Sequence, residues 1–240
     1  MQQSNSYTLI FTGIVTVILG FLLSIAATSL KEQQELNVAI DIKRNILRSL
    51  DFQESQDELW TTEIIQTLFD SNIVSFVIDA TGKTVDGMNV EDINTKSNSM
   101  LAPVYCKKRE GKEIEGYAIP ISGKGLWSTL YGYFALEADG MTVKGIKFYK
   151  HGETPGLGGE VDKEWFTQNF IGKRIVDEEG NLVGIQVVRG KVDESSKNAY
   201  HQVDGISGAT MTSRGLNNFL MNDLQKYEPF FKRIRTNASI

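Results

Sequence analysis

The sequence predicts an α+β fold, in which an N-terminal transmembrane helix is followed by a mostly antiparallel sheet packed with helices. Three observations predict it. The first stretch, Met1 to Leu30, contains no charged side chain. The middle of the chain breaks into short apolar runs separated by turn-forming residues. The final stretch carries large apolar side chains at helical spacing.

The apolar core of the first stretch runs from Leu9 to Ala27. At helical rise it spans roughly 28 Å, close to the hydrocarbon thickness of a bilayer. No Lys or Arg precedes it, and Ile25-Ala26-Ala27 matches a cleavage site poorly, so a retained anchor is expected over a cleaved signal peptide. Lys31, Lys43, Arg44 and Arg48 follow the span. Read alone, that asymmetry mildly favours a cytoplasmic domain.

Lys31 to Leu50 reads as an amphipathic helix continuing the span, with Leu36, Ala39, Ile40, Leu47 and Leu50 on related faces. A second helix is expected over Leu59 to Phe69. Ile73 to Ile78 reads as a strand ended by the turn Asp79-Ala80-Thr81-Gly82, and Val85 to Asn98 as polar loop. Leu101 to Lys107 and Tyr117 to Ile121 are further strands, joined across Glu110-Gly111-Lys112. Two hairpins are expected, Tyr131–Glu137 with Thr142–Tyr149 around Asp139-Gly140, and Arg174–Asp177 with Leu182–Arg189 around Gly180. Lys163 to Phe170 suits a short helix. Ser213 to Arg233 forms the last helical stripe through Leu216, Phe219, Leu220, Leu224, Tyr227 and Phe231, with Thr212 or Ser213 as its cap.

Composition excludes several classes. The net charge of -5 comes without a basic stripe, which argues against nucleic acid as a partner. Cys106 is the only cysteine, so no intrachain disulfide or cysteine-based metal site can form. His151 and His201 are the only histidines and share no metal-binding spacing; no metal site is expected. Gly123-Lys124-Gly125 and Gly156-Leu157-Gly158 lack the context of a dinucleotide fingerprint. Gly205-Ile206-Ser207-Gly208-Ala209 is one residue off a serine nucleophile elbow.

The densest signal is Asp204-Gly205-Ile206-Ser207-Gly208-Ala209-Thr210. Its small residues permit close backbone approach, and its last hydroxyl stands just before a predicted helix, whose first turn favours an anion. Ser207 and Thr212 would add hydroxyl donors. Asp204 carries the wrong charge for an anion site and would assist a modifying enzyme or cap the local turn. The same run also reads as a plain helix-entry loop.

The run resembles the flavinylation motif Asp-x-x-[Ser/Thr]-Gly-Ala-Thr. About 50 residues upstream, His151-Gly152-Glu153-Thr154-Pro155-Gly156-Leu157-Gly158-Gly159 resembles the Glu-Thr-Pro-Gly-Leu-Gly signature of FMN-binding domains. Such domains occur in the C subunit of the sodium-translocating NADH:quinone reductase and in the G subunit of the related Rnf complex. Gly123-Lys124-Gly125-Leu126-Trp127 is similar to a Gly-x-Gly-Leu-Trp segment of the former.

The resemblance implies an electron-transfer subunit with FMN joined through a phosphodiester to Thr210, inside a sodium-pumping NADH:quinone oxidoreductase and inactive with NADH on its own. Ser207, Gly208, Ala209 and Thr212 would surround the phosphate. Thr154, Gly156, Leu157, Gly158, Gly159 and Trp127 would meet the flavin, although the glycine loop also suits a structural turn and Trp127 a core position. The resemblance further implies partner subunits, a flavin transferase that takes FMN from FAD, and a domain on the periplasmic side of the inner membrane, against the charge asymmetry above. An Rnf-type subunit and a membrane-tethered, noncatalytic interaction module are the alternatives. The expected division is an anchor over residues 1–30, a stalk and first part of the soluble domain over 31–112, and an FMN-binding domain over 113–240.

Overall fold

The computed structural model describes residues 5–54, 59–93, 100–108 and 113–236. The chain divides into two compact units, residues 1–42 and 43–240. Helix α1 (Asn5–Ser49) is continuous and enters the second unit only with its last residues. The expected span and amphipathic stretch are therefore one helix. It is long and apolar enough to cross a membrane, and its apolar side chains from Leu9 to Ile25 are exposed.

The second unit is built on a five-stranded antiparallel meander, β1 (Ile73–Ile78), β2 (Ala102–Lys108), β3 (Ile114–Lys124), β4 (Thr129–Glu137) and β5 (Val143–Lys150), in that spatial order. Antiparallel neighbours follow from the short connections. Helix α4 (Thr210–Arg235) covers one face of the sheet. Alternation sends Val104, Cys106, Ile119, Ile121, Phe134, Leu136 and Ile146 to that face, where they join Leu216, Leu220, Leu224, Phe230 and Phe231 in one core. The opposite face carries Tyr105 and Tyr133. Phe69 of α2 (Thr62–Asn72) packs edge-on against Tyr105, and Leu50 closes over Gly116. Thr61 caps α2 by accepting from the Ile64 amide.

After β5 the chain forms two 3-10 turns and the single-turn helix α3 (Glu164–Thr167), as expected for that stretch. The expected second hairpin forms only around its Gly180 turn, where the Asp177 amide donates to Asn181 O and the Val183 amide to Ile175 O. The bridge Val176↔Leu182 joins its two arms; Gly184 then turns at φ +70 and ends the pairing. The chain goes on to pair parallel, β6 (Gln186–Val187) with β7 (Gln202–Val203). Alternation marks the extended runs but not their partner. The expected turn at Glu110-Gly111-Lys112, and part of the polar loop before Asn98, lie outside the described residues.

Candidate functional site

Asp204, just after β7, accepts from Lys191 Nζ at 2.5 Å and from the Val192 amide at 2.8 Å. The Lys191 contact is the main reason its carboxyl lies below the usual range. Asp204 thus ties the strand end to the 190s loop. Next to it the Gly205 amide donates to Gly190 O, and a Cβ at Gly205 would sit 2.1 Å from Val188 O. Only glycine fits that approach. Ser207-Gly208 then turns the chain, with Gly208 at φ +73 and its missing Cβ facing Leu157 Cδ2. Helix α4 starts at Thr210 itself, with Ala209 as N-cap and no side-chain cap. The expected cap at Thr212 or Ser213 is corrected: both side chains are buried, and the Thr212 hydroxyl is drawn away to Glu153. Among the described residues no side chain caps the first-turn amides at the amino end of α4. Thr210 is exposed at that end.

A groove of about 1010 Å³ opens beside Thr210. Ser207, Gly208, Thr210, Arg189, Lys191 and Arg214 are among its lining residues. Its charged side chains are all cationic. Two buried polar atoms that border it, Ser213 Oγ and His201 Nδ1, have no hydrogen-bond partner among the described residues. Burial, and then Lys173, lowers the pKa of His201 and favours its neutral form. The arrangement suits a phosphate: the uncapped start of α4 and the cationic Arg189, Lys191 and Arg214 border the same groove as the exposed Thr210.

The second signature lies between β5 and α3. Thr154 O accepts from the Leu157 and Gly159 amides, Gly156 adopts φ +75, and the Gly156 amide donates to Glu160. Leu157 is exposed and meets Gly208, so the two motifs touch. Thr154, Gly156, Leu157, Gly158, Gly159 and Trp127 do not line the groove. Trp127 is 71% exposed on the tip between β3 and β4 and is no core residue.

Glu153 heads the second signature, yet the sequence assigns it no role. Its carboxylate is buried, and it accepts from the Leu126, Trp127 and Ser128 amides at 3.2, 2.9 and 2.9 Å. The hydroxyl of Thr212 adds a bond of 2.7 Å, and that of Ser128 a longer one of 3.3 Å. Burial by itself would raise its pKa, but these donors, Thr212 first, outweigh burial and hold the carboxyl below its usual range. Two of the glycines around it, Gly125 and Gly158, leave it room. A Cβ at Gly125 would lie 2.8 Å from Glu153 Oε1, and one at Gly158 2.5 Å from Thr212 Oγ1 and 2.8 Å from Glu153 Oε2. One signal of this role is present in the sequence: an acidic residue set among glycines that can admit it, with a glycine tip upstream offering consecutive amides.

A family model described as FMN-binding domain matches residues 125–225, which hold both motifs and the tip. The C subunit of the Na(+)-translocating NADH-quinone reductase of Pseudomonas aeruginosa is 35% identical over 98% of this chain and 97% of its own. The same subunit of Yersinia pestis is 31% identical over 99% and 96%. Among solved structures, the same subunit from Parabacteroides distasonis matches with a TM-score of 0.72 at 31% identity, covering 84% of this chain and 96% of that one. The NqrC of Shewanella oneidensis gives 0.71 at 28% identity, covering 82% and 97%.

Proposed function

This chain belongs to the NqrC family, the C subunits of the Na(+)-translocating NADH-quinone reductase, and from that premise we propose that Thr210 carries the flavin through a phosphodiester. The protein is an FMN-binding electron-transfer subunit of a membrane oxidoreductase with other subunits as partners. Its N-terminal helix fits a single-pass anchor. The Rnf-type and noncatalytic alternatives are not favoured, because the reductase subunits match over nearly their whole length.

One observation carries the covalent assignment. Thr210 is an exposed alcohol at a helix start that no side chain caps, beside a cationic groove and the unpartnered Ser213 hydroxyl. When bound, FMN supplies one- or two-electron redox chemistry. The chain's own residues hold and orient it. The α4 amides and the guanidinium of Arg214 would hold the phosphate and balance its charge. Ser207, Gly208 and Ala209 keep the approach open. Trp127 and the exposed Thr154–Leu157 segment offer the surface against which a flat ring would rest, while Gly158 and Gly159 lie buried beneath it.

Attachment is assigned to a flavin transferase. The Thr210 oxygen attacks the flavin-side phosphorus of FAD and forms the ester bond. The phosphoanhydride breaks, AMP leaves, and the hydroxyl proton passes to a base of the transferase. The domain is assigned to the periplasmic side. The subunit relays electrons and does not oxidise NADH alone.

Intact mass of the protein isolated from its own membranes tests the linkage, with peptide mapping to locate the increment. An FMN increment on the peptide containing Thr210 is expected; an unmodified peptide would overturn the covalent assignment. Protease protection in spheroplasts tests the side: cleavage of the domain without lysis is expected.

A further inference from the structure

We infer that Glu153 is a positioning residue that locks the Trp127 tip to the amino end of α4, so that the surface around Thr210 moves as one piece. The inference rests on the proposed role of Thr210 for its redox meaning, but its geometry stands apart from it.

Three segments distant in sequence meet at this one carboxylate. The tip between β3 and β4 gives three consecutive amides, Leu126, Trp127 and Ser128. Helix α4 gives the Thr212 hydroxyl, two residues past Thr210. The 151–153 segment carries the carboxylate and is itself pinned. Its Gly152 amide donates to Ser128 Oγ at 2.7 Å, and the Glu153 amide donates to His151 Nδ1 at 3.3 Å, while His151 Nε2 faces Asp162 at 3.3 Å. Charge-assisted bonds of this kind are about twice as strong as neutral ones. Glycine at 125 and 158 leaves the carboxylate its space, and a side chain at either would displace it. An exposed tryptophan on a tip would otherwise be mobile. Here its own amide is held by a buried anion.

The Glu153→Gln variant keeps the shape but sets an NH₂ group against a donor. Thr212→Val removes the hydroxyl alone, and Thr212→Ser restores it. Each would be made in the full chain with Trp60 and Trp165 replaced by Phe, so that emission reports Trp127 only, and would be coexpressed with a flavin transferase. Expected for E153Q and T212V are lower Trp127 anisotropy and, in labelled protein, a shifted visible flavin spectrum and midpoint potential, with T212S matching wild type. Anisotropy, spectrum and potential all unchanged in E153Q would overturn the inference, as would T212S behaving like T212V. If E153Q fails to fold, the Thr212 pair decides alone. Wild-type protein lacking the FMN mass increment would sink the Thr210 assignment, while Trp127 anisotropy in the unlabelled variants would still decide whether Glu153 holds the tip.

Discussion

At the residue scale, the hydroxyl at position 210 is separable from the fold. It is exposed, and no hydrogen bond of the core depends on it. Thr210→Ala is expected to abolish in-gel flavin fluorescence and leave the melting temperature unchanged, whereas Thr210→Ser keeps partial labelling. Retained fluorescence in the alanine variant would place the linkage elsewhere. Two carboxylates respond to pH in opposite senses. Glu153 has a folded pKa below its unfolded one, so its stabilisation is present above the unfolded value and is lost as pH falls through the folded value. Asp223 is the reverse. Burial, offset only in part by the Ser122 amide and Lys226, pushes it up to about 6 from 3.8. Between those values the native state binds more protons, so stability falls as pH rises, and the penalty is complete above 6. Asp223→Asn still offers an oxygen to the Ser122 amide. It is expected to stabilise the protein by on the order of 1–2 kcal/mol at about pH 8 and very little at about pH 4 in denaturant titrations. An equal gain at both would refute the assignment. Thr210 is legible in the sequence because a motif and a helix start coincide there. Glu153 is legible only in part: the sequence sets it among glycines in the second signature, but only the fold brings the Trp127 tip and Thr212 onto it.

At the element scale, helix α4 and the turn after β1 are made for each other. Asp79 Oδ1 accepts from the Thr81 amide, the Thr81 hydroxyl and the Lys83 amide, closing the turn. Gly82, at φ +75, lies where a Cβ would be 2.3 Å from the Phe230 amide nitrogen and 2.5 Å from the Pro229 carbonyl carbon. Pro229 has no N–H to continue the helical ladder, so the turn nests where the helix is already interrupted. Gly82→Ala is expected to cost about 2 kcal/mol or more, since both the backbone conformation and the space are refused. A loss under half of that in urea titration would mean the turn yields easily. Strand β1 matches its expected bounds, Ile73–Ile78, because a β-branched run and its stop signal are both local. The start of α4 precedes its expected position for the opposite reason. Thr212 looks like a cap in sequence, but its hydroxyl is taken by Glu153, on a distant segment of the chain. The hairpin at 174–189 is cut short for the same cause: beyond Gly184 the chain takes β7 as its partner.

For the whole molecule, the two units predict separable behaviour. Residues 43–240 contain the sheet, α4 and the core they share. Deleting residues 1–42 is expected to move the protein to the soluble fraction with its melting temperature unchanged within error. Deleting as far as residue 51 also removes Ile46, Leu47 and Leu50, all fully buried. That larger cut is expected to cost roughly 4 kcal/mol or more, about 10 °C in melting temperature. Equal melting temperatures for the two truncations would show that the end of α1 does not belong to the folded unit.

For the proposed linkage, the exposure of Thr210 bears on the order of events in maturation. Because that alcohol stays open to solvent once the chain has collapsed, esterification is free to follow folding. A transferase acting there, as proposed, would meet a finished surface, and chains that never reach the native shape would go unmarked.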